Sequence, residues 1–303
     1  MSNLSADVEL RCATTRPCSA IEQLIVPQST DLGGFSVRRA LPNAQRRMVG
    51  PWIFFDEMGP ADFPAGQGID VRPHPHVNLA TVTYLFEGEI LHRDSLGSLQ
   101  AIRPGDINLM VAGSGIVHSE REREAVRAVP HRQHGLQLWL ALPEADEETA
   151  PVFYHYPSGD IPAVTVAGVR LRVLIGTAFG VTSPVKTFTS TLYVEARLQA
   201  GQSLALPDAE ERAVYVVQGS IAAAGTAIPQ HAMAVFAAGE GIALEAVSAS
   251  RLAIIGGVCL GERHIEWNFV SSRKARIQQA RRDWQDGHFP KVPGDTEEFI
   301  PLP

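Results

Sequence analysis

Two pairs of segments in this chain resemble one another across much of its length. TYLFEGEI (83–90) matches VYVVQGSI (214–221), and LMVAGSGIVHSE (109–120) matches VFAAGEGIALEA (235–246). A repeated pair constrains the fold more than any local propensity, because each copy has to build the same supersecondary unit. Gly88 to Gly113 spans 25 residues and Gly219 to Gly239 spans 20. Two related units therefore follow one another, with PEADEETAP (143–151), acidic and flanked by prolines, as the natural linker.

Between about residues 34 and 260 the chain is made of short β-branched or aromatic runs such as ATVTYLF, LRVLIG, TLYVEA and AVYVVQG, each closed by Gly, Pro or Asp. That pattern predicts an all-β sandwich or barrel. Only SSRKARIQQARRDWQDG has helical spacing: Ile277, Ala280 and Trp284 recur on one stripe, Ser271 and Ser272 are available as caps, and Gly287 with Pro290 ends the run. The expected segments are 30–145, 150–262 and a tail, 263–303.

With 303 residues and 45% hydrophobic composition the chain has material for a full core. A formal net charge of -7 argues against a general binder of polyanions, so nucleic acid is not an expected partner, and Arg273, Arg276, Arg281 and Arg282 read as the solvated face of the terminal helix. No stretch approaches the roughly 18 uninterrupted apolar residues of a spanning helix, so no membrane partner is expected. Asp7 and Glu9 stand where a secretory leader would need a basic end and then an apolar run. Cys12, Cys18 and Cys259 form no CxxC pair and fit a reducing compartment, so a cytoplasmic location is expected.

The chemistry lies in HPHVNLATVTYLFEGEI (74–90) and GIVHSE (115–120). Side chains two apart on a strand share a face, so His74 and His76 point together while Pro75 points away, and His118 and Glu120 flank Ser119 in the same manner. Two such strands lying opposite one another bring three imidazoles and one carboxylate to a point. Imidazole suits zinc, copper, iron and nickel, and a carboxylate adds preference for harder or redox-active ions. Four ligands of this kind fill four corners of an octahedron and leave two for water, oxygen or substrate, unlike structural zinc sites, which are mostly tetrahedral and cysteine-rich. In the second unit Leu244 takes the place of His118 and Ala246 that of Glu120, with LALP (204–207) near the places of His74 and His76. One divalent transition metal is expected, in the first unit. Iron(II) is favoured, and nickel, copper, manganese, cobalt or zinc are compatible with the ligands.

HPHVNLATVTYLFEGEILHRDSLG, PGDINLMVAGSGIVHSE and HGLQLWLALP together resemble the pirin family, two-domain members of the cupin superfamily, and the likeness runs from about residue 34 onward. WNFVSSRKARIQQARRDW is similar to the tail of the longer bacterial pirin-like proteins. The resemblance implies two tandem jelly-roll-like cupin β-barrels with a short helical C-terminal tail, a metal in the N-terminal barrel at His74, His76, His118 and Glu120, and a C-terminal barrel that is structural. Many members carry Glu where this chain has Ala80. That is not a ligand position, so the departure bears on the pocket lining. The resemblance also implies quercetin 2,3-dioxygenase activity, in which O2 opens a flavonol ring with loss of carbon monoxide. Glu120 is then metal ligand, catalytic residue and acceptor of the flavonol hydroxyl proton. Some members act instead as regulators whose binding to a protein partner depends on metal oxidation state. The sequence marks no surface for such a partner.

Among the remaining histidines, His92 is expected to line a loop or to stand behind a ligand. His131 and His134 precede the strand GLQLWLAL, where His134 either orients a ligand by a hydrogen bond or simply begins the strand. His155, His231, His264 and His288 read as structural or exposed. Phe54, Phe55, Met110 and Trp139 read as core, one or two of them facing the metal cavity.

Overall fold

LATVTYLFE and ERAVYVVQ are buried almost throughout because each becomes an inner strand of a sheet covered on both faces. The computed structural model describes residues 20–31, 35–239 and 241–303, so Cys12, Cys18 and the acidic start lie outside the described residues. Two seven-stranded antiparallel sheets form the frame. The first runs in the order Val152–Tyr156, Ile107–Val111, Leu79–Glu87, His131–Ala141, Trp52–Phe63, Ser36–Leu41, Ser29–Asp31. The second runs Ile21–Ile25, Met233–Phe236, Glu211–Gln218, Ser250–Gly257, Thr191–Leu198, Val169–Ile175, Ala163–Val166. A four-stranded sheet completes each barrel: Asp70–His76, Ile116–Arg121, Ile90–Asp94 and Leu99–Ile102 in the first, Ser203–Ala205, Ala243–Ala246, Ile221–Ala223 and Thr226–Ile228 in the second. The architecture is the all-β, two-barrel one that the sequence predicts. The halves also exchange edges, since Ile21–Ile25 pairs with Met233–Phe236 and Val152–Tyr156 pairs with Ile107–Val111.

The two large sheets meet face to face across a core containing Trp52, Phe55, Val82 and Leu138 from the first and Tyr193, Val235 and Ile255 from the second. The indole Nε1 of Trp52 donates to the carbonyl oxygens of Leu192 (3.2 Å) and Gly256 (3.1 Å) across this contact. Two carboxylates are also buried there. Glu57, Leu136 and Tyr84 lie side by side in the first sheet, and Glu195, Ala253 and Tyr215 occupy the corresponding row of the second. Each tyrosine donates to the other barrel's glutamate: Tyr84 Oη to Glu195 at 2.5 Å and Tyr215 Oη to Glu57 at 2.7 Å. Burial, and then the facing carboxylate, raises both phenol pKa values, so the hydroxyls keep the protons they donate. His134 Nε2 (2.8 Å) and His231 Nδ1 (2.7 Å) also meet Glu57. His134 thus serves the contact between barrels and orients no metal ligand, because it shares its strand face with Leu136 and Leu138.

The terminal helix spans Lys274–Gln285 and buries Ile277 and Ala280 against Val77, Trp267, Phe269 and Ile300. Ser271 and Ser272 are not its caps. Arg273 is the N-cap and makes no side-chain cap bond, while both serine hydroxyls donate to Glu147 Oε2 at 3.0 Å. Glu147 is 1% exposed, and a buried carboxylate needs donors more than a helix end open to water does. The acidic linker is therefore pinned to the tail. Arg273 and Arg276 pair with Glu148, and Arg281 with Glu266, so three of the four helix arginines have acidic partners. A second, four-residue helix, Glu124–Arg127, buries nothing and was too short to show periodicity in the sequence. Among the described residues no helix is long and apolar enough to cross a membrane.

Tyr84→Phe and Tyr215→Phe should each lower the unfolding free energy by about 1–3 kcal/mol, the cost of leaving a buried acceptor short of a donor. Urea midpoints that stay in place for both variants would show that these carboxylates do not need the tyrosines.

Candidate metal centre

The strand Asp70–His76 pairs antiparallel with Ile116–Arg121, setting His118 opposite His74 and Val117 opposite Pro75. The alternation of each strand then turns His74, His76 and His118 to one side. Their ring centroids are 4.4 to 5.0 Å apart, and one nitrogen from each lies within 4.8 Å of the others. All three are buried. The turns that follow and precede these strands are locked together. Asn78, in the left-handed region at φ 57°, receives the close approach of Gly113: its backbone N–H (2.8 Å) and side-chain Nδ2 (3.2 Å) both donate to the Gly113 carbonyl. Gly113 has φ 49°, and a Cβ there would stand 2.0 Å from the Thr149 carbonyl oxygen, so only glycine fits.

Hydrogen bonds fix which nitrogen of each ring is free. His74 Nδ1 lies 2.9 Å from the Arg72 carbonyl and His76 Nδ1 lies 3.0 Å from the Asn268 carbonyl. A carbonyl only accepts, so both Nδ1 atoms carry the proton and both Nε2 atoms present a lone pair. His118 Nε2 is buried with no hydrogen-bond partner. Burial holds the His74 imidazolium pKa down to about 4, partly opposed by the bond to Arg72, and burial with the neighbouring imidazoles holds His76 and His118 well below the usual range. Three neutral imidazoles with convergent free nitrogens, one of them otherwise orphaned, are the form in which histidine binds a transition metal. The residues present fit a divalent metal.

Glu120 stands beside this triad and is not part of its tight cluster. Its carboxylate accepts from Gln137 Nε2 at 2.9 and 2.8 Å and from Thr83 Oγ1 at 3.4 Å. Burial raises its pKa, with the bonds from Gln137 and Thr83 opposing. Glu120 and His74 line one cavity of about 80 Å³, together with Arg39, Asp56, Phe54 and Trp139. Phe54 and Trp139 stack at 4.0 Å with 10° between planes. The Arg39 guanidinium lies 4.3 Å over Phe54 and pairs with both oxygens of Asp56, at 2.8 and 2.7 Å. Phe55 faces the other barrel, and Met110 packs beside Phe54 and Trp139. Ala80 likewise faces the contact between barrels with Val82 and Tyr84, so it does not line the metal cavity.

Sequence reasoning missed Arg39, Asp56 and Gln137. Gln137 had a signal, being the one polar residue in the run GLQLWLA, two before Trp139. Of the other histidines, His92 stands directly behind His118, His131 meets Glu122 at 2.9 Å, His155 meets Asn108 at 2.6 Å, and His264 and His288 lie near Glu262 and Asp283. In the second barrel Leu204 is opposite Leu244 where the first has His74 opposite His118, and both belong to an apolar core. Among the described residues the three histidines are the one group of three His, Cys, Asp or Glu side chains close enough to share an ion.

Residues 34–140 match the Pirin family and residues 193–290 the Pirin C-terminal cupin domain. The pirin-like protein of Caulobacter vibrioides is 47% identical over 277 residues, covering 90% of this chain and 96% of its own length. The crystal structure of a quercetin 2,3-dioxygenase from Acinetobacter baumannii superimposes with a TM-score of 0.86 at 34% identity, covering 93% of this chain and 94% of that one. A bacterial pirin from Escherichia coli in complex with nickel(II) shares the fold, with a TM-score of 0.61 at 20% identity over 78% of this chain and 99% of that one.

Two outcomes are expected. Metal analysis should give one divalent ion per chain, lost in His118→Ala and retained in Leu244→Ala; two ions per chain, or an intact site without His118, would exclude this arrangement. In metal-free protein, His74 takes a proton near pH 6.5 when unfolded and near 4 when folded, so stability falls as pH drops through that window. His74 alone accounts for about 3 kcal/mol of the fall. Urea unfolding across this range should show a shallower loss in His74→Gln, and identical slopes would exclude His74 as the source.

Proposed function

The chain belongs to the pirin family, and we propose that it is a metal-dependent dioxygenase acting on a flavonol-like substrate with O2, in the manner of a quercetin 2,3-dioxygenase. The observation that carries the reading is the set of three neutral imidazoles, one of which, His74, shares an aromatic-walled cavity with the buried carboxylate of Glu120. In this reading His74, His76 and His118 hold the metal through Nε2, and Glu120 is both fourth ligand and catalytic base. Iron(II) is the ion we favour. When bound, it supplies Lewis acidity and a path for electrons between substrate and oxygen.

The chain's own residues do the rest. The stacked rings of Phe54 and Trp139 give the cavity an aromatic wall. Glu120 takes the flavonol hydroxyl proton, a role that would need its carboxylate free of the ion, since a coordinated carboxylate is a weak base. Gln137, which bonds both carboxylate oxygens, holds Glu120 in place. The cavity of about 80 Å³ is smaller than a flavonol needs, so binding requires the pocket to widen. The paired helix arginines and the net charge of -7 speak for a small-molecule partner and against nucleic acid. Cys259 is a free thiol and suits a cytoplasmic setting.

Glu120→Gln separates binding from chemistry. The amide keeps size and one oxygen but accepts no proton, so the variant should retain much of its metal while flavonol turnover falls about 10²-fold or more. Quercetin consumed at the parental rate by metal-loaded Glu120→Gln would remove the base role. An inactive parent under every metal tested would remove the dioxygenase reading.

A further inference from the structure

Behind the triad, the first barrel buries two more polar side chains, Asp94 at 0% and His92 at 3% exposure. They stand opposite His118 and Glu120 in the strand ladder: His118 faces Asp94, and Glu120 faces His92. Asp94 Oδ1 accepts the backbone N–H groups of Leu96 (2.9 Å) and Ser98 (3.0 Å), while Oδ2 lies 3.0 Å from His92 Nε2. On its other side His92 Nδ1 lies 3.4 Å from His118 Nδ1. Phe153, from the edge strand Val152–Tyr156, stacks on the His92 ring at 4.3 Å and 11° and holds its plane.

We propose that Asp94 and His92 are a positioning pair that locks His118 in the tautomer whose Nε2 is free for the metal. A carboxylate only accepts, so His92 Nε2 carries the proton, and a singly protonated ring then presents a lone pair at Nδ1. His118 Nδ1 must then be the donor, and its Nε2, the buried nitrogen with no partner, is left as acceptor. At 3.4 Å the bond between the rings is long and weak. It still decides the tautomer, because the opposite arrangement would set two lone pairs against each other. His74 and His76 achieve the same end with backbone carbonyls.

The second barrel is an internal control. In the same ladder Leu244 stands opposite Ala223 and Ala246 opposite Ile221. Where His118 has become Leu244 and Glu120 has become Ala246, Asp94 has become Ala223 and His92 has become Ile221. Two polar residues that merely completed the barrel would have no reason to vanish with the ligands. The proposal rests on the assignment of His118 as a ligand.

Asp94→Asn tests it. The two backbone donors at Oδ1 require an oxygen there, so the amide NH2 must face His92 Nε2. His92 Nε2 then has to accept, Nδ1 carries the proton toward His118, and His118 is driven to the tautomer with Nε2 protonated. Long-range ¹H–¹⁵N spectra of the metal-free protein should show His118 protonated at Nδ1 in the parent and at Nε2 in Asp94→Asn. Cobalt(II) affinity, followed by its visible absorption, should fall about 10- to 100-fold, the usual cost of losing a partner behind a ligand. His92→Gln keeps an acceptor oxygen toward His118 and should hold both tautomer and affinity near the parent, whereas His92→Leu should lose both. An unchanged His118 tautomer with parental cobalt affinity in Asp94→Asn, or in His92→Leu where Asp94→Asn fails to fold, overturns the proposal. Parental cobalt affinity in His118→Ala would instead overturn the ligand assignment, and the metal-free spectra tell the two failures apart.

Discussion

The face-to-face contact of the two large sheets is the constraint from which the rest of the molecule follows. Because both faces of the inner strands are covered, each of these strands has to divide its residues between two different interiors, and adjacent residues serve opposite purposes. Glu57 receives Tyr215 across the contact while Asp56 receives Arg39 in the metal cavity. Phe55 packs between barrels while Phe54 stacks on Trp139, and Tyr84 donates to Glu195 while Thr83 reaches Glu120. A slip of one residue would exchange these sets and bury each carboxylate in the wrong place. The reciprocal tyrosine–glutamate bonds, with the fixed geometry of hydrogen bonds between buried groups, penalise that slip on both sheets at once. The cavity inherits its register from the contact behind it.

The same frame has been filled in two ways. The second barrel sets Leu204, Leu244, Ile221 and Ala223 where the first sets His74, His118, His92 and Asp94, and those four join a continuous apolar core. Each such side chain adds to stability through removal from water, at roughly 25 cal/mol per Å². The first barrel gives that up. It buries imidazoles that are held neutral and a carboxylate whose pKa is raised, groups that destabilise an empty interior unless something binds them. The cost is confined to one barrel, and the other shares its core with it.

How much of this the sequence disclosed depended on distance along the chain. The pairs at 74/76 and 118/120 were legible because a strand's two-residue alternation is local, and the repeat placed the apolar equivalents at 244 and 246. His92 and Asp94 follow the same alternation, so the signal for a second polar pair was present in LHRDS; what the sequence lacked was the neighbour that pair would face. Arg39, Asp56 and Gln137 lie on three strands brought together by pairing, and although Gln137 interrupts an apolar run, no spacing within one segment relates the three. Ser271 and Ser272 have the composition of helix caps, and only the fold reveals Glu147, more than a hundred residues earlier, as their partner. His134 could be assigned to neither face until the sheet showed that it shares one with Leu136 and Leu138.

The three imidazoles are also oriented by three different parts of the chain. His74 is held by Arg72 of its own strand, the His118 ring meets that of His92 from the neighbouring strand, and His76 donates to the carbonyl of Asn268, which belongs to the tail. The tail is tied down around that point. The Ile300 N–H donates to the Pro73 carbonyl at 2.9 Å, Trp284 Nε1 donates to the Ile300 carbonyl at 3.0 Å, and Arg121 bridges to Asp295 at 2.7 Å from the residue next to Glu120. Ile300 itself forms part of the cavity wall. A segment that could be taken for an appendage to two barrels therefore sets the tautomer of His76 and walls the cavity that His74 and Glu120 line. The carbonyl that orients His76 and the Ile300 side chain that walls the cavity belong to one docked segment, so displacing the tail would disturb both the His76 ring and the cavity.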